Sequence, residues 1–160
     1  MSDRTEHAWE MAAAAEKHVE VASVEAAREE WAAGRDGADG AEDAGEDKGG
    51  DDAGEGDTVF LDVRDVRERW IEGAIPGDTH APRGMLEFWA DPETAYYRDY
   101  FETDRRFVCY CNEGGRSALA ANTLREMGFE DVAHIEGGFT AWQEAGYEQA
   151  DVDQPDYSDR

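Results

Sequence analysis

Phe107-Val108-Cys109-Tyr110-Cys111-Asn112-Glu113-Gly114-Gly115-Arg116-Ser117 decides how this chain folds. Its first four residues are an apolar run and read as a buried strand. The residues from Ala118 to Met127 read as a helix, with Ala120, Leu124 and Met127 on one face. Cys111 therefore sits where a strand ends and a tight loop turns into a helix. Gly114 and Gly115 let the backbone curl so that its N–H groups point inward. The helix N-terminus adds partial positive charge, and Arg116 adds a full one. Together they favour a thiolate, the reactive form of cysteine, in a bowl that accepts an anion.

Further strands and helices alternate on both sides of this stretch. Residues 4 to 18 are rich in helix formers, with Trp9, Ala13 and Lys17 on one thin face. Val19-Glu20-Val21 reads as a short strand, and Ser23 as the N-cap of a helix over Val24 to Ala33 that Gly34 stops. Thr58 to Val63 is a mostly apolar strand, buried on both faces, with Asp62 and Arg64 at its carboxyl end. Hydrogen bonding and ion pairing within the fold is the favoured role for Asp62. Val66 to Glu72 is a helix closed by Gly73, and Pro76-Gly77 turns into a small strand over Thr79 to Ala81. Phe88, Trp89, Tyr96, Tyr97, Tyr100 and Phe101 form an aromatic segment, read as packing with a share walling the site. Val132 to Ile135 is the last strand, and Phe139 to Ala145 a helix with Trp142 against the sheet. Such alternation predicts an α/β domain with parallel strands and helices on both faces.

Several of these pieces resemble the rhodanese-like sulfurtransferases. Cys111-Asn112-Glu113-Gly114-Gly115-Arg116-Ser117 resembles the family's active-site loop. Leu61-Asp62-Val63-Arg64, Gly73-Ala74-Ile75-Pro76-Gly77 and Ile135-Glu136-Gly137-Gly138-Phe139-Thr140-Ala141-Trp142 resemble its strand end, turn and closing motif, in that order. Ala81 to Trp89 resembles a connection found in some single-domain members. The resemblance spans residues 17–147. It implies a five-stranded parallel sheet in the order 1-5-4-2-3. It also implies sulfur transfer. Cys111 would attack the outer sulfur of thiosulfate or a persulfide, carry it as a persulfide, and pass it to a thiol acceptor. Arg116 would hold the anionic part of the donor, and Ser117 would hydrogen-bond the sulfur. Asn112, Glu113, Gly114 and Gly115 would line the bowl, with Arg64 and Arg83 near it. Salt bridging is the favoured role for Arg83. No metal or organic cofactor is needed.

Three positions depart from the family pattern. Ala74 replaces a histidine in the turn. Asp78 stands where a small residue is common and is expected to loosen the next strand. Glu113, inside the loop, opposes anionic donors. Two other readings of the loop compete. Cysteine phosphatases also end a thiolate cradle in arginine, but with five intervening residues, whereas four separate Cys111 from Arg116. A non-turnover sulfur-relay or docking module is the other. Cys109, mid-strand and flanked by bulky residues, reads as inert.

The 160 residues divide into an N-terminal helical extension (1–16), the main domain (17–147) and an acidic tail (148–160) that is expected to fray. Residues 34–57 interrupt the domain with Gly, Ala, Asp and Glu, apart from Arg35 and Lys48, and read as a mobile acidic insert. Its Asp51-Asp52-Ala53-Gly54-Glu55 lacks EF-hand spacing, which argues against calcium. The lone histidines share no metal-ligand spacing, and His80 reads as a packing or hydrogen-bonding residue. The chain carries 40 acidic and 15 basic residues for a net charge of -25, with two lysines against 13 arginines. Such a surface repels nucleic acid and anionic membranes. Acids spread over the whole chain, with few lysines, favour adaptation to high salt over simple disorder. Two cysteines in i, i+2 positions are not placed for a disulfide, there is no long apolar run, and the start is polar. These features predict a cytoplasmic protein. The family resemblance implies small sulfur donors, thiol acceptors and a sulfur-relay protein as its partners.

Overall fold

The computed structural model describes residues 4–37 and 57–155. Five strands, β1 (Glu20–Ala22), β2 (Val59–Asp62), β3 (Thr79–His80), β4 (Arg106–Tyr110) and β5 (Asp131–Ile135), form one sheet in the order β1-β5-β4-β2-β3. Every neighbouring pair is parallel. The helices are α1 (Ala8–Glu16), α2 (Val24–Gly37), α3 (Val66–Glu72), α4 (Leu86–Ala90), α5 (Gly115–Glu126) and α6 (Gly138–Glu144). A 3-10 turn, Arg83–Met85, leads into α4. The parallel sheet, its strand order and the flanking helices are those expected from the sequence.

Central β4 shows why both faces are covered. Phe107 and Cys109 point into a core shared with Leu61, Leu86, Phe101, Leu124 and Phe129. Val108 and Tyr110 point the other way, into a core with Trp31, Ile75, Ile135, Phe139 and Trp142. A strand buried on both sides needs helices on both sides, and every residue from Phe107 to Cys111 is buried. Because β4 is central and parallel, its carboxyl end opens onto loops, and Cys111 follows directly.

The structure differs from the sequence reading at several points. Gly34 does not stop α2, which continues to Gly37. Within a helix glycine costs only about 1 kcal/mol, and the Arg35 guanidinium one position on lies 4.8 Å from the Trp31 ring centroid. The rest of the proposed mobile insert, residues 38–56 with the disfavoured calcium ligands, lies outside the described residues. Asp78 does not loosen β3. Its carboxylate takes Arg69 at 2.7 Å and the Tyr110 hydroxyl at 2.5 Å, so it fastens the strand end to the sheet. The acidic tail is docked where it leaves the domain. Ala150 pairs with Ala74 through two backbone hydrogen bonds, and the Glu148 carbonyl accepts from the Trp142 indole at 2.6 Å. Residues 156–160 lie outside the described residues.

α1 is shorter than the helix-forming stretch and turned differently. Ala12 and Ala15, not the Trp9–Ala13–Lys17 face, pack on Ala118 of α5. Small residues on both helices allow a close approach, which brings Trp9 over the start of α5. A Cβ built on Gly115 would meet the Trp9 ring at 3.0 Å.

Candidate active site at the Cys111 loop

The loop is shaped from below and from behind. Gly114 precedes α5 with φ +100, a left-handed conformation that a side chain would strain. That curl turns two backbone N–H groups onto the Cys111 sulfur: Gly114 N at 3.2 Å and Ser117 N at 3.3 Å. The Cys111 Sγ also lies 3.6 Å from Ser117 Oγ. The amides thus face inward.

From behind, α6 clasps the loop. Phe139 N donates to the Cys111 carbonyl at 2.7 Å, and Thr140 N to the Asn112 carbonyl at 3.0 Å. A Cβ at Gly138 would collide with both carbonyl groups, so glycine is required by close approach as well as by φ +60. The closing Gly137-Gly138 motif is therefore part of the scaffold of the Cys111 loop.

From below, the loop rests on a buried ionic cluster. Arg64 is wholly buried. It binds Asp62 in a fork at 2.8–3.1 Å and donates to the Gly73 carbonyl at 2.8 Å and to Asn112 Oδ1 at 3.1 Å. Arg69 reaches the same Asp62 at 2.8 Å. Burial pushes the Asp62 carboxyl upward, but Arg64 and Arg69 outweigh it and hold the group below the usual carboxylate range. Arg64 is thus committed beneath the loop and holds Asn112 from there. Asp62 has the structural hydrogen bonds expected of it, and His80 Nε2 bonds the Arg64 carbonyl at 2.7 Å.

Arg116 lies at the rim, 43 % exposed, and meets Glu68 of α3 through two hydrogen bonds of 2.8 and 2.9 Å. Asn112 Nδ2 donates to the same Glu68 at 3.0 Å. The hydrogen bonds from Arg116 hold the Glu68 carboxyl low. Glu68 also closes a capping box at the start of α3 with Asp65. Glu113 is exposed beside the mouth.

Cys111 is 1 % exposed, yet it lines a cavity of about 420 Å³ together with Ala8, Trp9, Asn112, Glu113, Gly115, Arg116 and Leu119. That size is in the range of small-molecule sites. The apolar wall comes from α1 and α5. None of the aromatic residues between Phe88 and Phe101 lines it, contrary to expectation; Tyr100 and Phe101 are core, while Phe88 and Tyr96 face solvent. Arg83 is also absent from the cavity, and it contacts Glu87 at 3.6 Å and Thr123 at 3.4 Å. Cys109 and Cys111 are both free thiols. Burial pushes the Cys109 thiol up to about 12, so it stays protonated.

Sequence reasoning missed four contributors: Trp9, Glu16, Glu68 and His134. Only Glu68 left a local trace, the Asp65-x-x-Glu68 capping box ahead of α3. His134, wholly buried on β5, places Nδ1 2.9 Å from Ser117 Oγ, and its Nε2 lies 2.8 Å from Glu16 Oε2 of α1. Among the described residues no cluster of His, Cys, Asp or Glu is placed to hold a metal ion. No described helix is long and apolar enough to cross a membrane.

A cysteine held by loop amides at the carboxyl edge of a parallel sheet, ahead of a helix, defines a cysteine-loop α/β domain. Residues 48–145 match the family described as Rhodanese-like domain, and the chain belongs to that family. It is 35 % identical over 95 residues to the thiosulfate sulfurtransferase GlpE of Pseudoalteromonas translucida, covering 59 % of this chain and 82 % of that protein. It is 33 % identical over 83 residues to the putative sulfur carrier protein YrkF of Bacillus subtilis, 52 % of this chain but 40 % of that one. A solved structure from Rhodopseudomonas palustris, a protein of unknown function described as a possible tyrosine phosphatase, superposes with a TM-score of 0.72 at 37 % identity. That match covers 93 % of this chain and 98 % of that chain.

Proposed function

We propose that this protein is a sulfurtransferase that carries a sulfane sulfur as a persulfide on Cys111. The observation that carries the reading is the pair of N–H groups, from Gly114 and Ser117, within hydrogen-bond reach of the Cys111 sulfur at the floor of an open cavity. Donors fixed in that way stabilise negative charge on sulfur before and after transfer. In the first half-reaction the Cys111 thiolate attacks the outer sulfur of the donor. The S–S bond to the remaining fragment breaks, and that fragment leaves with the electron pair: sulfite from thiosulfate, a thiolate from an organic persulfide. In the second, an acceptor thiolate takes the outer sulfur and Cys111 leaves as thiolate. Membership of a family with a thiosulfate sulfurtransferase and a putative sulfur carrier supports this chemistry and a sulfur-relay setting.

Phosphate-ester hydrolysis is the second reading, favoured by the relative described as a possible tyrosine phosphatase. Against it stand the four-residue spacing from Cys111 to Arg116 and an Arg116 already paired with Glu68. Among the described residues no aspartate lines the cavity.

Mass spectrometry after incubation with thiosulfate or an organic persulfide tests the reading. One added sulfur on Cys111 is expected, removed by cyanide, retained in Cys109→Ala and absent in Cys111→Ser. Rapid Cys111-dependent hydrolysis of an aryl phosphate, without sulfur loading, would replace sulfur transfer by phosphatase chemistry. Sulfur loading without multiple turnover would leave a relay module. We also propose salt adaptation for the chain of net charge -25. Salt shortens the reach of self-repulsion to about 3 Å at 1 M. Circular dichroism should show structure tightening as salt is added, and thiosulfate turnover should rise beyond the gain in folded fraction. Full native structure without salt, or turnover that stays flat, would remove this proposal.

A further inference from the structure

Cys111 is the first member of a hydrogen-bonded file that leads from the loop to α1. Its sulfur lies 3.6 Å from Ser117 Oγ, which lies 2.9 Å from His134 Nδ1, and His134 Nε2 lies 2.8 Å from Glu16 Oε2. Ser117 and His134 are wholly buried, whereas the Glu16 side chain is 37 % exposed and opens on a second cavity of about 180 Å³ beneath α1. The file therefore runs from the reacting sulfur to a second opening, which shares Trp9 and Glu113 with the cavity that Cys111 lines. We propose that Ser117, His134 and Glu16 are a proton path that takes up the Cys111 proton as the thiolate forms and hands it back when the thiol is restored.

The path has two complete arrangements. In the first, Cys111 S–H donates to Ser117 Oγ, the Ser117 hydroxyl donates to His134 Nδ1, and His134 Nε2–H donates to the Glu16 carboxylate. Moving each proton one place outward breaks S–H, passes the hydroxyl proton of Ser117 to Nδ1, and passes the Nε2 proton to Glu16. Ser117 then donates to the thiolate, Nδ1–H to Ser117, and the Glu16 acid to Nε2. One negative charge has moved from Glu16 to Cys111, every hydrogen bond is remade, and no oxidant or co-reactant is consumed. Stopping halfway leaves an imidazolium between thiolate and carboxylate, with all three groups still bonded.

Burial lowers the His134 ring below its ordinary value, with Glu16 and Glu136 opposing, so the ring starts neutral with a nitrogen free to accept. The groups around it are Glu16 from α1, Ser117 from α5, Glu113 from the loop and Glu136 just beyond β5, with Cys111 on the far side of Ser117. Cys109, on neighbouring β4 and in register with His134, keeps its proton because burial pushes it up to about 12. The N-terminal helix thus supplies the outer end of the path. Ser117, His134 and Glu16 act through Cys111 and are positioning residues.

The test is the rate of Cys111 alkylation by iodoacetamide, a neutral electrophile that reports thiolate, followed from about pH 5.5 to 9 with the label located by mass spectrometry. Taking away a nearby negative charge would by itself favour the thiolate and speed alkylation. The path predicts the opposite, because losing the Glu16 carboxylate removes the halfway state in which a His134 imidazolium faces the thiolate: Glu16→Gln should react about tenfold more slowly at pH 7 and regain the wild-type rate at high pH. Ser117→Ala should show the same slowing, and adding Glu16→Gln to it should change nothing further. An unchanged or faster Glu16→Gln would overturn the proposal, as would additive effects in the double variant. Glu16 is on the surface, so its variant carries the test even if Ser117→Ala fails to fold. The inference rests on Cys111 being the reacting thiol, but alkylation needs no sulfur donor. A protein that passes this test yet never gains sulfur would sink the transfer reading and leave the proton path standing.

Discussion

The two sides of the Cys111 loop are built from different material. On the α3 side, Asp62, Arg64, Arg69, Asp78, Glu68, Asn112 and Arg116 are joined by hydrogen bonds and ion pairs from the sheet edge to the rim. On the α1 side stand Trp9, Ala8 and Leu119 along one cavity, and Glu16 with His134 along another. The first side uses its charges on the protein itself. The second leaves surface and a carboxylate open to whatever enters. A buried charge that loses its partner is expensive, so the α3 side is rigid by necessity, while an exposed indole can change with little loss. The α3 wall is expected to govern stability and the α1 wall selectivity.

The largest effect that would break this comparison is at Arg64. Arg64→Met removes the fork to Asp62 and the bond to Asn112, and should cost about 3–5 kcal/mol in urea unfolding. A loss below about 1 kcal/mol would mean that the cluster does not hold the loop. The next effect is on donor binding. Glu68→Gln keeps a hydrogen-bonding side chain but frees the Arg116 charge, so the KM for thiosulfate should fall about twofold to fivefold with kcat changed less. An unchanged KM would show that Arg116 does not meet the donor.

A third expectation concerns acid. Burial lowers both His80, on the α3 side, and His134, on the α1 side. The unfolded chain, with its histidines at about 6.5, then binds more protons than the folded one below that pH. The stability that the neutral rings contribute is present above about pH 6.5 and is lost as the pH falls toward the lower folded values. Urea unfolding at about pH 7.5 and 5.5 should show the decline; equal stability at the two would contradict the burial effect. Asp62 follows the same sign, but only below the ordinary carboxylate range. The smallest effect is expected at Trp9, whose side is 62 % exposed. Trp9→Ala should move stability by about 0.5 kcal/mol or less. It should change relative rates with bulky organic persulfides against thiosulfate. Equal relative rates would remove selectivity from the α1 wall.

Much of this was legible because it is local or repeats along the chain. The apolar runs ending at Asp62, Tyr110 and Ile135, each followed by a turn and a helical pattern, specify parallel strands. The Cys111 loop is contiguous, so its glycines, its cysteine and the helix that follows were visible together. The salt bridge of Arg83 was legible, but the roles of Arg64 and Arg116 were not. Arg64 and Arg116 share a residue type and lie near the same loop, yet one is buried against Asp62 and the other faces Glu68 at the rim. Asp78 read as an intruder because its partners, Arg69 and Tyr110, come from a helix and a central strand.

What the amino-acid order settled unaided is the alternation of strands and helices and the place of Cys111 at a strand end, since periodicity and a glycine-bent loop act over a few neighbouring residues. What only the tertiary structure decided is which charges remain free and what surrounds the sulfur. Glu16 and His134 are separated by 118 positions and meet only because a helix of small residues packs closely on α5. Pairing of that kind depends on packing distance in space, to which spacing along the chain gives no guide.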